Sequence, residues 1–413
     1  MSRLLIYNIG LLATPCGTAA KAGPAQGEVL LEKDAWILAE DGLIKETGTG
    51  NAWQALLQDG DTVIDAGQKL VTPGLVDAHT HLVFGGWRQN ELGLKLHGAT
   101  YLDILESGGG ILSTVRATRE ASEESLFQKA KEALDEMLAL GITSMEAKSG
   151  YGLDRETELK QLRVIRRLAK EHCMDVRATF LGAHALPESY KDNREDYVRF
   201  ICEEMIPEVA AEGLADYCDV FCEKGVFTAE ESRLILEAGK KHGLLPKIHA
   251  DEIEAIGGSE LTKDVNAVSA EHLIVCQPSG IEALAAGGTI ACLLPATSFY
   301  LGATYAPARE MIEAGVPVAA ATDFNPGSCP SLNIQFVMNL ACLKYRLTPE
   351  EMLTAVTLNA AAAIGLAEKT GTIEPDKQAD LVIWNAPDLD YLGYRMGSNL
   401  VNTVIKNGSI VHQ

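Results

Sequence analysis

LVTPGLVDAHTH, residues 70–81, is an apolar run that ends on two histidines separated by one residue. In a β-strand, residues two apart point to the same face. His79 and His81 are therefore expected to turn both imidazoles toward one ion. Asp77 shares that face and is a candidate acceptor to orient one of them. The Gly85-Gly86 pair just beyond marks a turn.

The same β character recurs downstream in ITSMEAKSG (142–150), VRATFLGAH (176–184), YCDVFCEKG (217–225), LPKIHADE (245–252), AVSAEHL (267–273), TIACLLPA (289–296) and VPVAAATDF (316–324), eight segments in all. Amphipathic stretches such as EESLFQKAKEALDEMLALG and AEESRLILEAGKKHG lie between them and carry a helical period. Eight strand-helix repeats over about 290 residues predict an α/β fold, a (β/α)8 TIM-type barrel spanning 71–365. Residues 1–70 and 366–413 read instead as short strands and turns, with an Asn407-Gly408 hairpin signal near the end. Neither end has enough strands to stand alone, so the two are expected to share one small composite β-sandwich domain. The Ala-rich AVTLNAAAAIGLA reads as a buried helix.

Composition narrows the function. Of 413 residues, 47% are hydrophobic and 22% charged, which suits an ordinary core and excludes wholesale disorder. With 35 basic and 57 acidic residues the net charge is -22, which opposes nucleic acid and anionic membranes as partners. The longest uncharged stretch, 283–308, contains Pro295, Pro307 and paired glycines, and is predicted to form a strand with loops rather than a membrane span. Nine cysteines without a CxxC pair, and a start without the apolar core of a signal peptide, lead us to expect free thiols and a cytoplasmic protein.

In such a barrel, chemistry sits at the carboxyl ends of the strands. The predicted strands end on His79 and His81, Lys148, His184, Lys224, His249, His272 and Asp323, so five of the nine histidines fall at these ends. His79, His81, His249 and Asp323 make a metal-ligand set of three imidazoles and one carboxylate. Such ligands suit zinc, and also iron or manganese. An ion held this way acidifies a water and supplies a nucleophile near neutral pH. His97, His172, His242 and His412 lie in polar or helical context and receive no role. Gly108-Gly109-Gly110 is not followed by Gly-Lys-Ser/Thr and reads as a turn, not a phosphate loop. Cys222 and Cys329 read as small packing residues.

The run PGLVDAHTHLVFGG, residues 73–86, resembles the first strand of the amidohydrolase superfamily. More narrowly, HTHLVFGGWRQNE, SGGGILSTVRATR, EAKSGYGL, FLGAHALP, HADE, SAEHL and ATDFNPGSCP, in this order, are similar to the imidazolonepropionase family. The resemblance implies a hydrolase that opens the cyclic amide of 4-imidazolone-5-propanoate to N-formimidoyl-L-glutamate in histidine degradation. It implies the same four ligands, and one divalent or trivalent transition metal, zinc first and iron as the alternative. By the same resemblance Glu252, His272 and Asp323 are catalytic, with Glu252 and His272 as the proton-handling pair. His272 would hold or deprotonate the attacking water. Arg88, Tyr101, Tyr151, His184, Glu252, Asn325, Gly327 and Ser328 would bind substrate. In chemical terms, Arg88 can grip a carboxylate with two parallel bonds, Gly327 can bring a backbone N–H close to an anionic oxygen, and His184 can polarise the ring carbonyl. The family also implies a homodimer.

Some amidohydrolases bridge two metals with a carboxylated lysine. Here Lys148 and Lys224 are expected to be ion-pair or structural residues, and the site to hold one metal. Two rival readings remain. A ring deaminase would share the ligand set, but a neutral base needs no carboxylate grip from Arg88 and Tyr151. An inactive barrel serving as an interaction protein would be expected to lack ligands.

Overall fold

A computed structural model describes residues 2–98 and 109–413, apart from the side chain of Lys95. The N-terminal segment contributes β1 (Arg3–Pro15), β2 (Val29–Glu40), β3 (Leu43–Thr49), β4 (Thr62–Asp65) and β5 (Leu70–Pro73). The barrel strands follow as β6 (Leu75–Asp77), β7 (Ile142–Lys148), β8 (Asp175–Ala183), β9 (Tyr217–Cys222), β10 (Leu245–Ala250), β11 (Ser269–His272), β12 (Ile290–Leu293) and β13 (Val318–Ala320). The tail adds β14 (Leu381–Trp384), β15 (Val401–Lys406) and β16 (Ser409–His412).

Strands β6 to β13 pair in sequence order, each parallel to the next. Nearly all of their residues are buried on both faces, which explains why the sequence shows apolar runs rather than a strict alternation. Past the end of the sheet, Thr80 bridges to Phe324, the His81 N–H donates to the Phe324 carbonyl at 2.9 Å, and the Asp323 N–H donates to the His79 carbonyl at 3.0 Å. The first and last strands are thus joined at the residues expected to hold the metal.

Several of the intervening helices start on side-chain caps. Ser122 accepts from the Ser125 N–H ahead of the helix Glu123–Ala139, and Thr228 with Glu231 forms a capping box ahead of Ala229–Lys241. The Ala-rich stretch holds a six-residue helix, Leu358–Ala363, packed on an apolar cluster with Val76, Cys292 and Ala319. The uncharged stretch differs from expectation. It is not strand and loop alone, because Pro295–Leu301 is helical after β12. A proline at the first helical position is tolerated, since its missing N–H would have no partner there. Among the described residues, no helix is long and apolar enough to cross a membrane.

The two chain ends share one eight-stranded sheet, in which β14 pairs antiparallel with β5, and β5 pairs parallel with β1. Ile6 and Ile37 from the first segment and Leu381, Ile383 and Ile405 from the tail lie in one buried cluster. Trp384 is fully buried and its Nε1–H donates to Thr72 Oγ1 at 2.9 Å. Asn407 and Gly408 both have positive φ, 48° and 71°, as a two-residue hairpin turn requires.

Candidate active site

Each expected metal ligand sits at or just past a strand end on one mouth of the barrel. The His79 ring lies 5.3 Å from that of His81 and 4.7 Å from that of His249, and His249 lies 5.2 Å from His272. Asp323 Oδ1 is 3.5 Å from Nε2 of His79 and 3.5 Å from Nε2 of His81. All five groups are buried. Ligand atoms of His79, His81 and Asp323, and separately of His79, His249 and His272, lie within 4.8 Å of one another. Asp323 and His272 also carry positive φ, 57° and 70°, a left-handed backbone that costs non-glycine residues about 1–3 kcal/mol and gathers at functional sites.

The imidazoles are aimed from beneath. His79 Nδ1 lies 2.9 Å from Glu271 Oε2, and His249 Nδ1 lies 3.1 Å from Asp219 Oδ1. As carboxylates, both acids accept the Nδ1–H and leave Nε2 as a bare lone pair. Those two Nε2 atoms and Asp323 Oδ1 are buried without a hydrogen-bond partner among the described residues. Asp323 is steadied at its other oxygen by Thr297 Oγ1, at 2.6 Å. Buried lone pairs of this kind are costly unless something binds them, so the donor set fits a transition-metal ion. Burial, reinforced by neighbouring cationic groups, holds His79 and His81 well below the usual imidazole range, which keeps them neutral as ligands must be.

Below this lies a fully buried charged layer. Lys148 Nζ is 2.8 Å from Asp219 Oδ2 and 3.0 Å from Glu146 Oε2, and Lys247 Nζ is 3.0 Å from Glu146 Oε2. Lys148 is thus an ion-pair residue, and Lys224 is a surface one, 2.7 Å from Glu254. Asp77 departs from expectation. Its carboxylate accepts from the Thr322 N–H at 3.0 Å and Oγ1 at 2.6 Å, so it braces the last strand instead of an imidazole.

The proton-handling candidates meet at the same mouth, with His272 Nδ1 3.7 Å from Glu252 Oε1. Burial pushes the Glu252 carboxyl up to about 7 against the pull of His249, and burial lowers His272 to about 3. A carboxyl group that titrates near neutrality and a neutral imidazole suit the two ends of a proton transfer. His184 Nδ1 lies 3.0 Å from the Gly150 carbonyl. A carbonyl only accepts, so Nδ1 carries the proton, and burial keeps the ring neutral by lowering it to about 3. Its Nε2 is then an acceptor and cannot polarise a ring carbonyl. The geometry suits an acceptor for a ring N–H.

Tyr151 is buried on the loop after β7, with its ring 5.3 Å from His184 and 5.8 Å from His81. That loop is pinned by Glu158, which accepts the N–H groups of Gly150, Gly152 and Leu153. On the loop after β13, Asn325 Oδ1 accepts the N–H groups of Gly327 and Ser328, at 2.8 and 2.7 Å. The Gly327 N–H is therefore engaged within the loop, and a Cβ there would lie 2.3 Å from Arg88 Nη1, so any larger residue would displace the guanidinium. Arg88 itself donates Nε–H and Nη2–H to the two oxygens of Glu91, each at 3.0 Å. Tyr101 lies outside the described residues.

Sequence reading missed Glu271, Asp219, Glu146, Lys247 and Glu91. Lys247 and Glu146 had a signal. Lys247 lies two residues before His249, and Glu146 two before Lys148, so each faces the barrel interior below a strand-end group.

The comparisons with known proteins agree with this architecture. The amidohydrolase family profile matches residues 70–411. The chain is similar to an imidazolonepropionase of Alkaliphilus metalliredigens, 51% identical over 100% of this chain and 98% of that protein. It is also similar to an imidazolonepropionase of Brevibacillus brevis, 52% identical over 98% of this chain and 97% of the other. Among solved structures, E. coli guanine deaminase matches with a TM-score of 0.74 at 15% identity, covering 100% of this chain and 99% of that one. At that identity the likeness speaks for the fold alone. By its profile and its full-length relatives, the chain belongs to the amidohydrolase family and, within it, to the imidazolonepropionases.

Proposed function

We propose that this chain hydrolyses the cyclic amide of 4-imidazolone-5-propanoate to N-formimidoyl-L-glutamate. The observation that carries the reading is a cluster of buried imidazole and carboxylate atoms, unpartnered among the described residues, that shares one barrel mouth with Arg88, seated against Gly327. The names of relatives about half identical over nearly the whole chain agree with it.

His79, His81, His249 and Asp323 would hold one divalent or trivalent transition metal, zinc in our reading and iron as the alternative. When bound, such an ion supplies Lewis-acid chemistry, acidifying water and polarising a carbonyl. The chain's own groups do the rest. Arg88 and Tyr151 bind the propanoate tail, with Asn325 and Ser328 shaping the loop beneath it. His184 Nε2 accepts a ring N–H and so orients the heterocycle. His272, neutral and beside Glu252, accepts a proton of the attacking water and passes it on to Glu252, replacing the proton that Glu252 gives to the ring nitrogen. Glu252 delivers a proton to the ring nitrogen as the C–N bond breaks. Water adds to the ring carbonyl carbon, the amide bond opens, and the products are a carboxylate and a formimidoyl N–H. In this reading the enzyme is a cytoplasmic homodimer; its nine cysteines are all unpaired, in keeping with a reducing compartment.

The test is a hydrolysis assay with imidazolone propanoate, followed by ultraviolet loss of the ring. Turnover that is lost on chelation and restored by zinc or iron is expected. No turnover, together with ammonia release from guanine or a similar ring, would assign the chain to deamination. Metal analysis separates the non-enzymatic alternative, which expects protein free of transition metal after metal-replete growth.

A further inference from the structure

We propose that Glu91 is a positioning residue for substrate recognition: it fixes the edge that the Arg88 guanidinium turns toward the substrate's carboxylate tail. The inference rests on the function proposed above and adds a residue to it.

A guanidinium has two edges suited to a carboxylate, the side edge of Nε and Nη2 and the end edge of Nη1 and Nη2. In this protein Glu91 takes the side edge with two parallel bonds, 3.0 Å from Nε to Oε1 and 3.0 Å from Nη2 to Oε2. Glu91 is only 2% exposed, so the pair is poorly screened and well held. Its Oε1 also accepts the N–H of Gly110 at 2.7 Å. Gly110 is the N-cap of the helix Ile111–Glu120, where the backbone dipoles favour an anion. Glu91 is therefore anchored independently of Arg88. On its other side the guanidinium lies flat against Gly327, where a Cβ would stand 2.3 Å from Nη1 and 2.9 Å from Cζ. The guanidinium is clamped between an acidic fork and a bare Cα, and the end edge is the one presented to a ligand.

This arrangement changes what Arg88 selects. The Glu91 charge offsets the guanidinium charge, so the site attracts an anion by geometry more than by field. A bidentate carboxylate matches the end edge, and a neutral amide, with one acceptor oxygen and a donor NH2, cannot satisfy it.

The experiment compares the wild-type, Glu91→Gln, Arg88→Ala and doubly substituted enzymes on imidazolone propanoate and on its carboxamide analogue. Glu91→Gln is expected to raise KM for the carboxylate substrate about tenfold, equivalent to ~1.4 kcal/mol, with kcat within about twofold. The carboxamide should be turned over equally by the wild type and Glu91→Gln. In the double variant the Glu91 effect should vanish, because the group it positions is gone. Equal losses on both substrates, or additive losses in the double variant, would overturn the inference and make Glu91 structural. An unchanged KM would also overturn it. Failure of the wild type itself on imidazolone propanoate would instead sink the functional reading. If Glu91→Gln folds poorly, Glu91→Asp serves: its shorter reach should raise KM for the carboxylate and spare the carboxamide.

Discussion

Glu271 Oε2 lies 2.9 Å from His79 Nδ1, deep inside the barrel where both side chains are fully buried. The carboxylate decides which nitrogen of the imidazole carries the proton, and so which one is left free to bind an ion. Replacing Glu271 by Gln removes the charge while preserving the volume. Metal affinity is expected to fall about 10- to 100-fold, the usual cost of losing such a support. Competition with a graded chelator measures this directly. Unchanged affinity would show that packing alone aims the ring.

Glu252 gives a stability signature. Its folded pKa is raised from 4.5 to about 7 by burial. In the unfolded chain it ionises near its ordinary value, so the folded state binds the extra proton between the two values. Any stability held by this proton is complete below about pH 4.5 and lost as the pH rises to about 7. In metal-stripped protein, Glu252→Gln is therefore expected to raise Tm at pH 8 and leave it nearly unchanged at pH 4. Activity of the metal-loaded variant should be lost at every pH. A thermal melt across this range is the check. An equal gain at both pH values would place the effect elsewhere.

Gly327→Ala tests the floor beneath Arg88. The new methyl would overlap Nη1, at 2.3 Å, so the guanidinium must move. A loss of about ten- to a hundredfold in kcat/KM is expected, carried by KM. The melting temperature should change little, since a side chain partly open to solvent can yield. A wild-type KM would show that Arg88 does not work from this position.

Trp384 reports on the joint between the chain ends. It is fully buried, and its Nε1–H donates to Thr72 at 2.9 Å. Trp384→Ala is expected to cost about 3–5 kcal/mol, read as a lower midpoint in urea. Trp384→Phe should recover most of the packing but not the hydrogen bond. A cost below about 1 kcal/mol for the alanine variant would mean that the joint is held by the strand ladder alone.

Much of this was legible in the sequence because barrel strands are short, apolar and terminated by polar groups. Seven of the eight observed barrel strands fall within the segments predicted from such runs, and the eighth, Asp175–Ala183, begins one residue before its segment. His79, His81, His249, His272 and Asp323 stood out because strand ends carry chemistry in this fold. The supporting acids did not stand out. Glu271 and Asp219 sit one alternation deeper, where a charge looks like an interruption of an apolar strand until its partners Lys148 and Lys247 are seen in space. Glu91 looked like one more acidic residue of a chain rich in them. The tautomer of His184 depends on a single contact, to the Gly150 carbonyl, which no sequence pattern encodes. Asp77 shows the converse: it shares a strand face with His79, yet its partner is Thr322, 245 residues away.

The pairing of β5 with β14 has a consequence for synthesis. Leu381 emerges from the ribosome roughly 300 residues after Pro73, which at about 5–20 residues per second takes about 15–60 s. During that interval one edge of β5 has no neighbour, although the barrel strands are being made in order beside it. An open edge of apolar residues is a template for intermolecular pairing. The strands after the barrel thus close the sheet that the first segment opens, and one edge of β5 stays uncovered until they are made.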